Sequence, residues 1–151
     1  SDQFCVDRHK PHFLNLVKNK LDITFANEEE IMSLIDTNDF IEVVSFAKEI
    51  KKHLVITRGK NGAISINKDI IKEVGVKKDL NIKDLTGAGD LFASGYLHGY
   101  LNILSEEECL KKGTEMSSKV IQQIGARLQF FFSYNFPFLF WVLLFVVYTF
   151  D

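Results

Sequence analysis

Seven residues, Asp84-Leu85-Thr86-Gly87-Ala88-Gly89-Asp90, run without a break into the small and apolar stretch Leu91–Leu101, and they constrain this chain more than any other segment. Glycines at 87 and 89 permit tight or positive-φ turns and leave backbone N–H groups uncovered. A helix over Leu91–Leu101 would turn its positive end back on the same spot, so amides and dipole converge on an anion site. A phosphoryl group in transfer needs that environment, because its catalysis is largely positioning and neutralisation of charge on its oxygens. Asp90, at the mouth of the turn, supplies a base. Taken singly, the same GxGD also reads as a helix N-terminus with an acidic cap. No GxxxxGK[ST] run is present, so phosphate anchoring falls to backbone amides rather than to a lysine.

The segments around this turn alternate between helix and strand periods. Phe13, Leu14 and Val17 fall at helical spacing over His12–Lys20, and Leu21–Ala26 follows as a short buried strand ended by Asn27. Glu28–Ile35 is expected to be a helix with an acidic first turn, and Phe40–Lys52 a second, with Ile41, Val44, Phe46, Ala47 and Ile50 as its buried face. His53–Thr57 and Ala63–Ile66 flank the turn cluster Arg58–Gly62 as a hairpin-like unit. Ile70–Val76 and Leu80–Ile82 are candidate strands. Along Leu91–Leu101, Phe92, Leu97 and Leu101 are candidates for the buried face, with small residues allowing close packing. Ser105 is the expected N-cap of a helix over Glu106–Gln123, with Leu110, Met116, Val120 and Ile121 as its apolar positions and Gly125 as its stop. Upstream, Asp7, Arg8, His9 and Lys10 are expected to form a charged turn. Alternating elements of this kind point to an α/β layered fold.

Composition narrows the function classes. Eighteen Lys plus Arg against 20 Asp plus Glu leave a net charge of −2, with no basic footprint for nucleic acid. Cys5 and Cys109 lie far apart without metal-ligand spacing and read as reduced thiols of a cytoplasmic protein. The average hides a break after Arg127. Leu128–Phe150 holds no charged residue yet carries eleven of the nineteen aromatics and the sole Trp, Trp141. That tail reads either as a membrane span, its length matching the roughly 20 residues needed, or as frame-shifted or read-through sequence. The abruptness of the change favours the second.

The run DLTGAGDLFASGYLHG resembles the second signature of the PfkB or ribokinase-like kinases, whose usual form DTTGAGD is broken here only by Leu85. The resemblance implies that Asp90 is the general base, that the Gly87, Ala88 and Gly89 amides form the anion hole, and that Thr86 lies against the nucleotide. Asn27-Glu28-Glu29-Glu30 is similar to the family's NxxE element, which implies that Asn27 and Glu30 help hold magnesium and phosphate, indirectly in the metal's case. Thr57–Gly62 is similar to its TxGxxG turn, so Thr57, Gly59 and Gly62 would line the nucleotide. Val120–Arg127 resembles the helix and GAR-like ending that closes the adenine pocket. Each element alone has a plainer reading, Asn27–Glu30 as a helix start and Thr57–Gly62 as a hairpin turn. Their order along one chain is what carries the resemblance.

It implies a ribokinase-like layered α/β fold, present as the C-terminal part over 1–127, with 128–151 as a tail foreign to the family. It also implies ATP as phosphate donor, magnesium, and a small sugar or nucleoside as acceptor. Ser1–Arg8 and the NEEEI stretch are most similar to adenosine-kinase-like bacterial sugar or nucleoside kinases. The family's acceptor-binding half and lid have no counterpart here, so little or no turnover is expected of this chain alone. The alternatives are a nucleotide-binding remnant and a membrane-anchored interaction protein.

Overall fold

The structure, a computed structural model, describes residues 3–127; the readings of 128–151 lie outside them. Helices α1 (Gln3–Arg8) and α2 (Lys10–Asn19) lead into β1 (Ile23–Asn27), followed by α3 (Glu28–Leu34) and α4 (Phe40–Ile50). Next come β2 (His53–Thr57), a 3₁₀ turn at Gly59–Asn61, β3 (Ala63–Asn67) and β4 (Ile70–Val74), then α5 (Ala88–Leu101) and α6 (Glu106–Val120). Among the described residues no helix is long and apolar enough to cross a membrane.

The four strands form one sheet in the order β1-β2-β3-β4, parallel between β1 and β2 and antiparallel thereafter. Alternation along β2 and β3 sends side chains to opposite faces, and both faces are covered. Leu54, Ile56, Ile64 and Ile66 join the core under α1–α4, with Ile31 and Val43. Val55 and Ala63 point the other way and share a core with Phe92, Tyr96, Cys109 and Leu110 of α5 and α6. The result is three layers, helices on each side of a mixed sheet. A strand buried on both faces reads as a continuous apolar run, which is what HLVIT is.

Helix starts follow local chemistry. Asn27 caps α3 and Ser105 caps α6, each in a reciprocal capping box with the acid three residues on, and Asp39 Oδ1 accepts from Ile41 N at 2.8 Å. Several expectations are corrected. Asp7–Lys10 is not a turn but the end of α1 and the start of α2, joined at His9, with Lys10 paired to Asp36. Leu80–Ile82 is not a strand: set among Lys77, Lys78, Asp79 and Lys83, it stays in the connection from β4 to α5, and Ile82 is exposed. β4 stops at Val74, α5 begins three residues earlier than expected and α6 ends at Val120. Ile41 and Leu101 face solvent at 72% and 71% exposure, while Val43, Leu91 and Tyr96 take the buried positions. Hydrophobicity alone does not fix the helix azimuth when apolar residues ring most of it.

Glycine sets the approach of α5 to α6. A Cβ on Gly95 would lie 2.6 Å from the Lys112 carbonyl oxygen, and one on Gly113 2.8 Å from that of Phe92. Alanine in a helix is worth about 1 kcal/mol over glycine, but overlap with a backbone carbonyl cannot be relieved by rotating a side chain and costs about 1–3 kcal/mol. Gly95→Ala should therefore lower the urea midpoint without changing the m-value. A raised midpoint would show that the crossing has room for a methyl group.

Candidate active site

The C-terminal ends of the two parallel strands place Asn27 and Thr57 side by side as register partners. In open α/β sheets that end is where ligands bind. Asn27 Oδ1 accepts from Glu30 N at 2.8 Å, and Glu30 Oε2 accepts from Asn27 N at 2.9 Å. The helix-start reading of this pair is thus realised, with Glu30 Oε1 outside the cap. Arg58 ties the next turn to the same place: its guanidinium carbon sits 3.8 Å from the Phe40 ring centroid and Nη2 lies 3.4 Å from Glu28 Oε1. Gly59 and Gly62 have φ of 52° and 87°, and a Cβ on Gly62 would fall 2.0 Å from the Val74 carbonyl oxygen. Only glycine fits there.

The second part of the site opens α5. Gly87 is its N-cap at φ 77°, and a Cβ there would come within 2.7 Å of Ala126 Cβ. Positive φ is confined to this one of the two glycines. Gly89 lies in the first helical turn, where an added Cβ would meet nothing within 4 Å, so its backbone is open to approach. The Ala88 amide, one of three expected donors, is taken by the Leu85 carbonyl at 3.1 Å. Amides at the first helical positions otherwise lack intrahelical partners. Asp90 is exposed in that same turn, and among the described residues its carboxylate makes no hydrogen bond or ion pair.

Asp84, to which sequence reasoning gave no role, holds this loop together. Its Oδ1 accepts from Thr86 N at 2.9 Å and from Thr86 Oγ1 at 2.7 Å, while Oδ2 accepts from Gly125 N at 2.8 Å. The hydroxyl proton of Thr86 is thereby committed. The GAR-like turn and the loop before α5 thus form one unit, reinforced by Lys83 N donating to the Ile121 carbonyl at 2.8 Å. An aspartate two residues before a threonine is a recognisable turn signal, but its second partner, 41 residues away, leaves none.

A cavity of about 270 Å³ lies between the chain leaving β4 and α6, lined by Val74–Lys77, Lys111, Thr114 and Glu115. It adjoins the turn at Gly62, which packs on the same Val74–Gly75 backbone. No motif spacing marks these residues. Among the described residues, no hydrogen bond or ion pair joins Asp90 to Asn27–Glu30 or to Thr57–Gly62; α5 and β2 meet instead through Phe92 and Val55. Nor does any group of three His, Cys, Asp or Glu gather to hold a metal.

A three-layer α/β domain with a glycine-capped helix, an unengaged aspartate in its first turn and a glycine turn at the end of one of its two parallel strands has the make-up of a class, the ribokinase-like proteins. The chain matches the family described as pfkB family carbohydrate kinase over residues 3–130 and belongs to it. It is 33% identical over 106 residues to a 2-dehydro-3-deoxygluconokinase of Haemophilus influenzae, covering 69% of this chain and 33% of the relative. A probable sugar kinase from Rhizobium etli superposes with a TM-score of 0.82 at 42% identity, covering 86% of this chain and 40% of that one. Adenosine kinase from Sinorhizobium meliloti gives the same TM-score and coverage at 37% identity. The chain therefore spans a third to two-fifths of the length of these relatives.

The hydrogen bonds from Thr86, followed by that from Gly125, hold the Asp84 carboxyl below its ordinary value of 3.8. A depressed folded-state pKa means that the clasp is complete above the ordinary value and is lost as pH falls through the folded one. In an NMR titration the Gly125 amide should shift with an apparent pKa below 3.8, and Asp84→Asn should abolish that shift. A midpoint at or above the ordinary value would remove Asp84 from this role.

Proposed function

We propose that this chain carries the nucleotide-binding and catalytic part of an ATP-dependent kinase that phosphorylates a hydroxyl of a small sugar or nucleoside. The observation that carries the reading is the opening of α5: Gly87 in the left-handed region, Gly89 uncovered, and Asp90 unengaged beside them. Donors aimed where charge develops, with a carboxylate at hydrogen-bonding reach of an incoming hydroxyl, are the two things phosphoryl transfer asks of a protein. Asp90 takes the proton of the acceptor hydroxyl, and the amides of Gly87 and Gly89 steady the phosphoryl oxygens. Ala88 contributes by closing the turn through Leu85. The cavity beside β4 and α6 receives the base, and Thr57, Gly59, Gly62 and Thr86 bound the phosphate path. The names of the relatives, sugar and nucleoside kinases alike, support this acceptor class. A cytoplasmic location goes with this reading, since ATP is supplied there.

Magnesium fits these residues only in a limited way. With no cluster of three acids among the described residues, the ion would be held chiefly by phosphate oxygens and water, as magnesium commonly is. Asn27 and Glu30 would reach it indirectly, Glu30 through the oxygen outside the cap. When bound, it neutralises charge on the phosphates.

In a full-length version of the enzyme, with the acceptor-binding half supplied, Asp90→Asn should lower kcat by about 10²–10⁴ with little change in ATP affinity, since a general base acts in the transition state. A wild-type protein that neither binds ATP by calorimetry nor turns over any of a panel of sugars and nucleosides would sink the reading. Binding without turnover would favour the remnant.

Glu30→Gln separates metal from cap, because glutamine also closes a capping box. It should raise the magnesium concentration for half-maximal rate while leaving thermal stability unchanged. An unaltered magnesium titration would leave Glu30 as a capping residue alone.

A further inference from the structure

At the end of β2 and β3 opposite Thr57, where His53 pairs with Asn67, side chains from β2, β3, α5 and α6 meet in a polar cluster beside an otherwise apolar core. Tyr96 of α5 is fully buried, and its hydroxyl donates to Glu106 Oε2 at the start of α6. Ser65 of β3 donates to the same oxygen at 2.8 Å, and Asn67 Nδ2 donates to Oε1 at 3.2 Å. His53 of β2 completes the cluster, its Nε2 lying 2.9 Å from both Ser65 Oγ and Tyr96 Oη. Both hydroxyl protons point at Glu106, so the two hydroxyl oxygens are acceptors toward the ring, and His53 carries its proton on Nε2.

The charge states agree with that proton count. Burial lowers the pKa of His53 against the opposing pull of Glu106, leaving a neutral ring at pH 7. Burial alone would raise that of Glu106, but the bonds from Tyr96, Ser65 and Asn67 outweigh it and keep the carboxylate ionised. Burial, then the bond to Glu106, pushes the Tyr96 phenol above its ordinary range. A buried network whose hydroxyl protons all have acceptors admits one arrangement and penalises displacement.

Displacement is the issue for α5. Its contact with α6 runs through Gly95 and Gly99, where added methyls would meet Lys112 O at 2.6 Å and Cys109 Cα at 3.1 Å. Such a face fixes the distance between helices, and the ring it seats, Phe92 against Gly113, is held by apolar contact that leaves rotation and sliding without a directional lock. Tyr96, beside Gly95, supplies the missing constraint by meeting partners from three other elements at one point.

We infer that Tyr96 and Glu106 are positioning residues, their clasp on His53 and Ser65 fixing the rotation of α5 and so the place of Asp90 and of the amides that open the helix. The kinetic part of this inference rests on the phosphoryl transfer proposed above; the structural part does not. A rotation of about 10° moves a group at the helix surface, about 5–6 Å from the axis, through about 1 Å. Misplacement of that size costs up to about 10²-fold in rate.

The test compares the full chain in wild type, Tyr96→Phe, Glu106→Gln and Leu34→Ala, the last weakening the opposite core without touching α5. Amide hydrogen exchange at Ala88 and Leu91, whose amides are bonded to the Leu85 and Gly87 carbonyls, should quicken about tenfold in the first two variants relative to Leu34→Ala at matched global stability. Placed in a full-length version of the enzyme, the same two substitutions should lower kcat about 10- to 10²-fold with KM for ATP within about twofold. Exchange no faster than in Leu34→Ala overturns the inference whether or not the protein turns over, and so does unchanged kcat in a variant whose exchange has quickened. Expected exchange shifts, with a full-length version that transfers no phosphate, uphold the clasp and remove the kinase reading instead. Should Tyr96→Phe fail to fold, Glu106→Gln carries both measurements.

Discussion

Burial of β2 and β3 on both faces is the constraint from which the rest of the architecture follows. Leu54 and Ile56 need one apolar layer, Val55 and Ala63 another, and a sheet so enclosed has its strand ends, rather than its faces, left for ligands. The crossover from β1 to β2 through α3 and α4 makes that pair parallel, so Asn27 and Thr57 reach the same end. The return through the turn at Gly59–Gly62 is then forced over the same edge, close enough to Val74 that position 62 has no room for a side chain. Asn27 and Thr57, far apart in sequence, share one rim because the strands that carry them are parallel.

Close packing by glycine serves two ends that must be kept apart. At Gly62 and Gly87 it lets loops cross backbone or neighbouring side chains, with positive φ that other residues reach at a cost. At Gly95, Gly99 and Gly113 φ is ordinary, and what matters is volume: α5 and α6 touch backbone to backbone. Contacts of the second kind are strong in dispersion yet poor in direction. Polar groups supply direction, and both polar assemblies here, Asp84 with Thr86 and Gly125, and Tyr96 with Glu106, act on α5.

Much of this was legible in the sequence because it is local. The β-branched run HLVIT, the turn RGKNG, the cap at Ser105 and the helix after Gly87 all carry their cause within a few residues. What was not legible depends on tertiary partners. Ile41 and Val43 are both apolar and two residues apart, and only the sheet beneath decides that the second is buried. Leu80–Ile82 has strand composition but no strand beside it. Asp84 shows one partner locally in Thr86, whereas the other, Gly125, is found only by folding. The polar cluster around Tyr96 leaves no periodic trace, since one His, one Ser, one Tyr and one Glu from separate segments look like scattered surface residues until the core closes around them.

The acids show how structure separates chemistry from capping where sequence cannot. Glu28, Glu29 and Glu30, Asp90, and Glu106, Glu107 and Glu108 all lie in first helical turns, where a negative charge is favoured by the helix dipole. By composition alone each is a helix start. Partners divide them: Glu30 and Glu108 return to their own N-caps, Glu28 meets Arg58, Glu107 meets Lys111, and Glu106 is held by Tyr96, Ser65 and Asn67. Each of these carboxylates is occupied by a structural partner. Asp90 and Glu29 have none among the described residues, and of the two Asp90 sits beside the glycines that open α5. A carboxylate held at a helix start without a protein partner has its lone pairs available to a proton from outside, and for Asp90 it is that availability together with the uncovered Gly89 backbone beside it on which the proposed role as base rests.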